Sequence, residues 1–136
     1  MMQVPSKIQT VCTAAAPAAI GPYAQAVEID GWVFTSGQIG LDPATGTLVS
    51  GEFKAEAQQV FKNLQAVLEA AGCDRSDVVK ATVFLTDFAD FPLLNECYAE
   101  FFGEHRPARS TVQVAALPRG ARLEIELIAR SRATRS

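Results

Sequence analysis

Two side chains in the last third of the chain have the chemistry to handle a small organic acid. Arg109 follows Pro107-Ala108 at the start of a predicted strand, and Glu124 sits in a second predicted strand, residues 123–129. A guanidinium grips a carboxylate through two parallel hydrogen bonds, with a fixed plane and a permanent charge that lysine cannot orient in the same way. A glutamate stripped of part of its hydration has a raised pKa, which suits a general base that orients or deprotonates a water near neutral pH. Upstream, Gly21-Pro22-Tyr23 and Thr35-Ser36-Gly37-Gln38 supply polar corners. The Gly-Pro turn aims the Tyr23 ring out of its loop, where the phenol can donate to a carboxylate or a bound water. Gly37 permits close approach of backbone to a ligand. Asn95 lies on a predicted helix beside Leu93, Leu94 and Glu96. Each of these has a plainer reading: a surface salt bridge for Arg109, a solvated strand face for Glu124 and Glu126, a packed surface ring for Tyr23, an ordinary turn for Ser36-Gly37 and a solvated amide for Asn95.

What is missing narrows the chemistry. His105 is the single histidine, which excludes a two-histidine metal site within one chain and leaves a Ser-His-Asp triad unsupported. Cys12, Cys73 and Cys97 form no CxxC pair and read as three reduced thiols. No GxGxxG and no phosphate-binding loop are present, so nothing calls for a nucleotide cofactor. No cofactor and no metal are expected.

The 136 residues predict one domain spanning residues 1–136, and a hydrophobic fraction of 49% supports a real core. No apolar run approaches the roughly 20 residues of a membrane helix. The start of the chain reads as neither a secretory signal nor a transit peptide, and a cytoplasmic location is expected. Charge is uneven. Residues 1–105 hold 13 acids and 5 bases, whereas residues 106–136 hold 7 arginines and 2 acids. A basic end can mark nucleic-acid binding, but here Arg130, Arg132 and Arg135 run off an acidic chain with no aromatic–basic platform, which favours a frayed tail or pairing with a neighbouring subunit.

The elements that must position these residues follow from pattern. Ala26 to Ile29 and Trp32 to Ser36 flank Asp30-Gly31, a hairpin signal. Val60, Phe61, Leu64, Val67, Leu68 and Ala71 mark one face of a helix beginning at Phe53, with Gly72 as its stop. A strand from Val78 to Leu85, a helix capped by Asp87 or Asp90 and ended by Gly103, and strands from Arg109 to Val114 and Leu123 to Arg130 complete a β-β-α-β-α-β-β order. An extra strand is expected at Ile8 to Cys12. The crossover from Val78 to Val114 favours a parallel pair. Two helices cannot cover both faces of such a sheet, so the other face must meet water or another subunit, and the strands are apolar enough to favour an oligomer. If Pro118 to Ala121 were a tight hairpin turn, Arg109 would pair with Arg130 and lie about 20 Å from Glu124. A shared site therefore requires that these strands are not hairpin partners, or that two chains build it.

Several segments in order carry a resemblance: IGPYAQAV, TSGQIG, AAGC with VVKATVFL, NE-x-YAEFF, PARSTVQVAALP and LEIELIA. From about Ala15 to Ala129 the chain resembles the RidA (YjgF/YER) family of reactive-intermediate deaminases. The resemblance implies an α+β, chorismate-mutase-like fold: a mixed β-sheet with two helices packed on one face, and sheets lining a central barrel in a homotrimer with pockets between subunits. It implies hydrolysis of 2-imino or enamine acids (the 2-aminoacrylate type) to 2-oxo acids and ammonia, with no cofactor. By position, Arg109 would grip the substrate carboxylate and Glu124 would place the attacking water. Tyr23, Ser36, Gly37, Asn95 and Thr111 would shape the pocket. Thr111 stands where many members have cysteine, Arg106 where an aromatic is common, and the segment from Glu104 to Pro107 is shorter than in some members, so altered substrate fit is expected. Two rival readings are a non-catalytic small-acid-binding protein of the same fold and a ribonuclease or translation inhibitor.

Overall fold

The computed structural model describes residues 7–131. Arg132 and Arg135 of the basic run lie outside the described residues. The elements are β1 (Gln9–Val11), β2 (Ala26–Ile29), β3 (Trp32–Thr35), α1 (Phe53–Ala70), β4 (Val78–Leu85), α2 (Phe91–Phe102), β5 (Ala108–Gln113) and β6 (Leu123–Arg130), with short 3₁₀ turns at Arg75–Asp77, Phe88–Asp90 and Pro118–Gly120. Asp30 and Gly31 both take positive φ (53° and 84°), as a two-residue type I′ turn requires, and Ile29 pairs with Trp32 across it. Asp87 caps the 3₁₀ turn that leads into α2, its Oδ1 accepting from the Ala89 N–H at 2.9 Å. Asp90 stands at the α2 N-cap without a side-chain capping bond.

The six strands form one sheet in the order β1-β2-β3-β6-β4-β5. β4 and β5 run parallel, as the α2 crossover demands, and β4 pairs antiparallel with β6. β4 thus separates β5 from β6, and no Arg109–Arg130 pairing forms.

Strand alternation sorts the side chains onto two faces. Ala81, Val83 and Leu85 of β4 and Leu123, Ile125, Leu127 and Ala129 of β6 are buried in one core with Val60, Leu64, Val67 and Leu68 of α1 and Leu94, Tyr98 and Phe102 of α2. Both helices therefore pack on the same face. The opposite face carries Trp32, Phe34 and Val112, exposed by 38%, 42% and 42%; neither helix packs on them, and the Arg130 guanidinium lies over the Trp32 ring at 5.1 Å.

One charge sits inside the helical side. Glu56 of α1 is fully buried and accepts from the Arg122 backbone N–H at 2.7 Å and from Arg122 Nε at 2.8 Å. A Cβ on Gly40 would come within 2.9 Å of Glu56, so this glycine lets the loop after β3 lie against α1. Asn63, also fully buried, holds the same loop by donating to the carbonyls of Ile39 (3.2 Å) and Leu41 (2.9 Å).

Candidate active site

The predicted site residues fall into two groups. Tyr23, Ser36, Gly37 and Glu124 line one cavity of about 390 Å³. Asn95 and Arg109 line a second, of about 280 Å³, with Tyr98 and Arg106. Thr111 lines neither: it faces Val83 across the strand pair, and its hydroxyl is buried with no hydrogen-bond partner. A larger groove along α1 and α2 contains none of the seven.

The first cavity is built where β3 runs out and crosses to β6. Gln38 exchanges two backbone hydrogen bonds with Ile125, at 2.9 and 3.1 Å, which lays Ser36-Gly37 beside Glu124. Contact is close enough that a Cβ on Gly37 would lie 2.5 Å from Glu124 Oε2 and 2.6 Å from its Cδ. Glycine is needed here for space, since its φ is not positive. Ser36 donates its hydroxyl to the Ala24 carbonyl at 2.6 Å, which leaves oxygen lone pairs as acceptors. Tyr23 stays half exposed on the turn after Gly21-Pro22.

Glu124 itself is partly buried, and burial pushes its carboxyl above the ordinary glutamate range. The negative charge of Glu126, two residues along the same face, pushes it further the same way. A carboxylate so placed holds a proton more readily than a solvated one and is a better base toward a bound water.

The second group sits on the helical side of the sheet edge. Arg109 lies over the ring of Tyr98 at 4.8 Å and that of Phe91 at 5.6 Å, both on α2. Among the described residues no carboxylate comes within salt-bridge distance of it. Two aromatic faces support the cation and leave its donor fork for another anion. Burial raises the Tyr98 phenol, an effect partly offset by the positive charges of Arg109 and Arg106. The Tyr98 hydroxyl is buried without a partner.

Register shows why the two groups are separate. Arg109 is opposite Ala81 and Glu124 is opposite Phe84. Residues directly opposite share a face, and Ala81 faces the helices while Phe84 faces away. Arg109 and Glu124 therefore project from opposite faces, with backbones about 14 Å apart by strand spacing and rise.

Two contributors, Gln25 and Arg119, were not singled out from sequence. Gln25 is buried and staples the incoming arm, donating to the carbonyls of Thr13 (3.0 Å) and Pro17 (2.7 Å) and accepting from the Thr13 N–H at 2.7 Å. Its signal was an amide among small apolar residues. Gln38 and Arg119 also line the Glu124 cavity. Arg119 lies between proline and glycine in a turn, which points to a displayed side chain. His105, by contrast, is engaged structurally, its Nε2 lying 2.7 Å from the Val78 carbonyl oxygen. Among the described residues, no three His, Cys, Asp or Glu side chains gather where they could hold a metal ion. No helix among them is long and apolar enough to cross a membrane.

Comparison with known proteins gives a consistent answer. The human protein named 2-iminobutanoate/2-iminopropanoate deaminase is 53% identical over 121 residues, covering 89% of this chain and 88% of its own. RidA from the Antarctic bacterium Psychrobacter sp. PAMC 21119 superposes with a TM-score of 0.86 at 52% identity, over 90% of this chain and 98% of that one. TdcF from E. coli, solved with bound serine, also gives 0.86, at 46% identity over 90% and 98%. The family model described as endoribonuclease L-PSP matches residues 13–131. The chain therefore belongs to the endoribonuclease L-PSP family, the YjgF/RidA group of proteins.

Proposed function

We propose that the protein is a cofactor-independent deaminase that hydrolyses 2-imino acids and their enamine tautomers to 2-oxo acids and ammonia, in a site completed by two protomers. The observation that carries this reading is the division of the candidate residues. One face offers an acid with polar corners, where the one arginine, Arg119, is tied to the Gly46 carbonyl; the other offers an arginine on an aromatic bed and no acid. A homotrimer with its uncovered sheet faces turned inward as a barrel would bury Trp32, Phe34 and Val112 and bring the Arg109 edge of one protomer to the Glu124 cavity of the next. The names of the relatives support the same substrate class.

In this reading Arg109 holds the substrate carboxylate by two charge-assisted hydrogen bonds, and Asn95 and Tyr23 bind polar groups around it. Glu124 takes a proton from water as the oxygen bonds to the imine carbon and the C=N π pair moves to nitrogen. It then returns that proton to nitrogen, giving a carbinolamine. Glu124 next takes the carbinolamine hydroxyl proton and delivers it to the amino nitrogen; the oxygen pair forms C=O, the C–N bond breaks, ammonia leaves and a 2-oxo acid remains. An imine is already electrophilic, so positioning and two proton relays through one carboxylate suffice without a covalent nucleophile.

The test is ammonia and pyruvate release from enzymatically generated 2-aminoacrylate, comparing wild type with Arg109→Ala. Acceleration by wild type and its loss in the variant support the deaminase. Equal rates sink it and favour a non-catalytic binding protein.

A further inference from the structure

The cavity around Glu124 is larger than a three-carbon acid needs. Its volume of about 390 Å³ falls in the range of pockets that hold drug-sized ligands, whereas 2-iminopropanoate has only six heavy atoms. Two of the lining residues are charged at neutral pH, Glu124 and Arg119. Arg119 is exposed, follows Pro118 and takes the left-handed conformation (φ 61°, ψ 16°), which is costly for a residue with a Cβ. Its Nη1 donates to the Gly46 carbonyl at 3.0 Å, which ties the side chain to the loop after β3. Four of its five N–H donors remain. Among the described residues no carboxylate pairs with it. Nor does it relieve Glu124, whose carboxyl is raised by burial and Glu126 with no offsetting cation.

We infer that Arg119 is a specificity-determining residue that accepts the distal carboxylate of a larger substrate, so that the chain takes 2-imino dicarboxylic acids in addition to the short monocarboxylic imines. The inference rests on the deaminase reading. Arg109 of one protomer would hold the 1-carboxylate, Glu124 the water, and Arg119 the far carboxylate across the spare volume. The reaction at carbon 2 is unchanged.

The experiment generates 2-iminoglutarate and 2-iminopropanoate from glutamate and alanine with flavin amino-acid oxidases, where oxygen is reduced to peroxide and catalase removes it. Semicarbazide traps the imine, and the protein's suppression of trapping is measured. Wild type is expected to act on both. In Arg119→Gly, which removes the cation and relieves the positive φ, kcat/KM for the dicarboxylic imine should fall at least tenfold more than that for 2-iminopropanoate, with the loss in KM. Arg119→Lys should restore most of that ratio. Equal losses on both imines, or an unchanged ratio, overturn the assignment. Product inhibition of wild type gives a second reading that needs no variant: 2-oxoglutarate should inhibit more tightly than pyruvate, and the reverse order also overturns it. A wild type active only on 2-iminopropanoate overturns this inference and leaves the deaminase standing. Inactivity on both imines overturns both.

Discussion

Arg109 and Glu124 point away from each other through the same sheet: Arg109 lies opposite Ala81 on the helical face, and Glu124 opposite Phe84 on the uncovered one, with β4 between them. No rotamer change brings two such groups onto one small acid within a chain, because their Cβ atoms leave the backbone in opposite directions.

Complementation tests the two-protomer site directly. Arg109→Ala and Glu124→Gln chains are each expected to be inactive alone. When co-expressed and assembled at random, about a quarter of the interfaces would join an intact arginine to an intact glutamate, since each is present with probability one half. Recovered ammonia release near that fraction supports a shared site; none places both residues in one chain's own site. Sedimentation should accompany it, with a trimer of 14.6 kDa subunits expected.

Substituting the arginine alone grades its role. Arg109→Ala should lower kcat/KM about a hundredfold or more, since two charge-assisted hydrogen bonds at roughly 1.5–3 kcal/mol each are lost. Arg109→Lys keeps the charge but not the planar fork and should fall between. Steady-state kinetics on an in situ imine measures both.

The pH profile carries a sign. Glu124 must be ionised to take a proton from water, so kcat should fall on the acid side through a pKa above that of ordinary glutamate. Removing the neighbouring charge with Glu126→Gln should move that limb to lower pH, because a like charge disfavours ionisation. Stability follows the opposite course. The folded chain binds this proton more tightly than the unfolded chain, so stability declines as pH rises from the unfolded pKa through the raised folded one. Glu124→Gln should therefore raise Tm at neutral pH and give no gain at pH below the ordinary glutamate value.

Gly37→Ala asks whether the Glu124 carboxylate must stay where it is. The added methyl would lie 2.5 Å from Oε2, so the carboxylate must move. Overpacking of this kind costs about 1–3 kcal/mol. A drop in kcat with little change in KM, in a chain whose circular dichroism is intact, is the expected outcome.

The buried pair at the start of β6 should be asymmetric. Arg122→Met leaves Glu56, 1% exposed, without its cation and should destabilise by about 3 kcal/mol. Glu56→Gln leaves Arg122, 38% exposed, able to reach water, and should cost less. Urea unfolding of the two variants measures the difference.

Sequence alone determined the elements and their chemistry. The stripe from Val60 to Leu68 became a buried helix face ending at Ala70, Asp30-Gly31 became the hairpin, and the crossover became a parallel β4–β5 pair. These are local patterns, with periods of 3.6 or 2 and turns of two residues, and local geometry suffices to set them. Only the tertiary structure decided that β4 lies between β5 and β6, that Gly37 exists to admit the Glu124 carboxylate, that Glu56 is buried against Arg122, and that Arg109 and Glu124 occupy opposite faces. Strand order and register arise from pairings distant in sequence. Shifting a strand by one residue exchanges its faces, so the residue types in Arg109 and Glu124 could suggest a shared site while their positions in the sheet divide it.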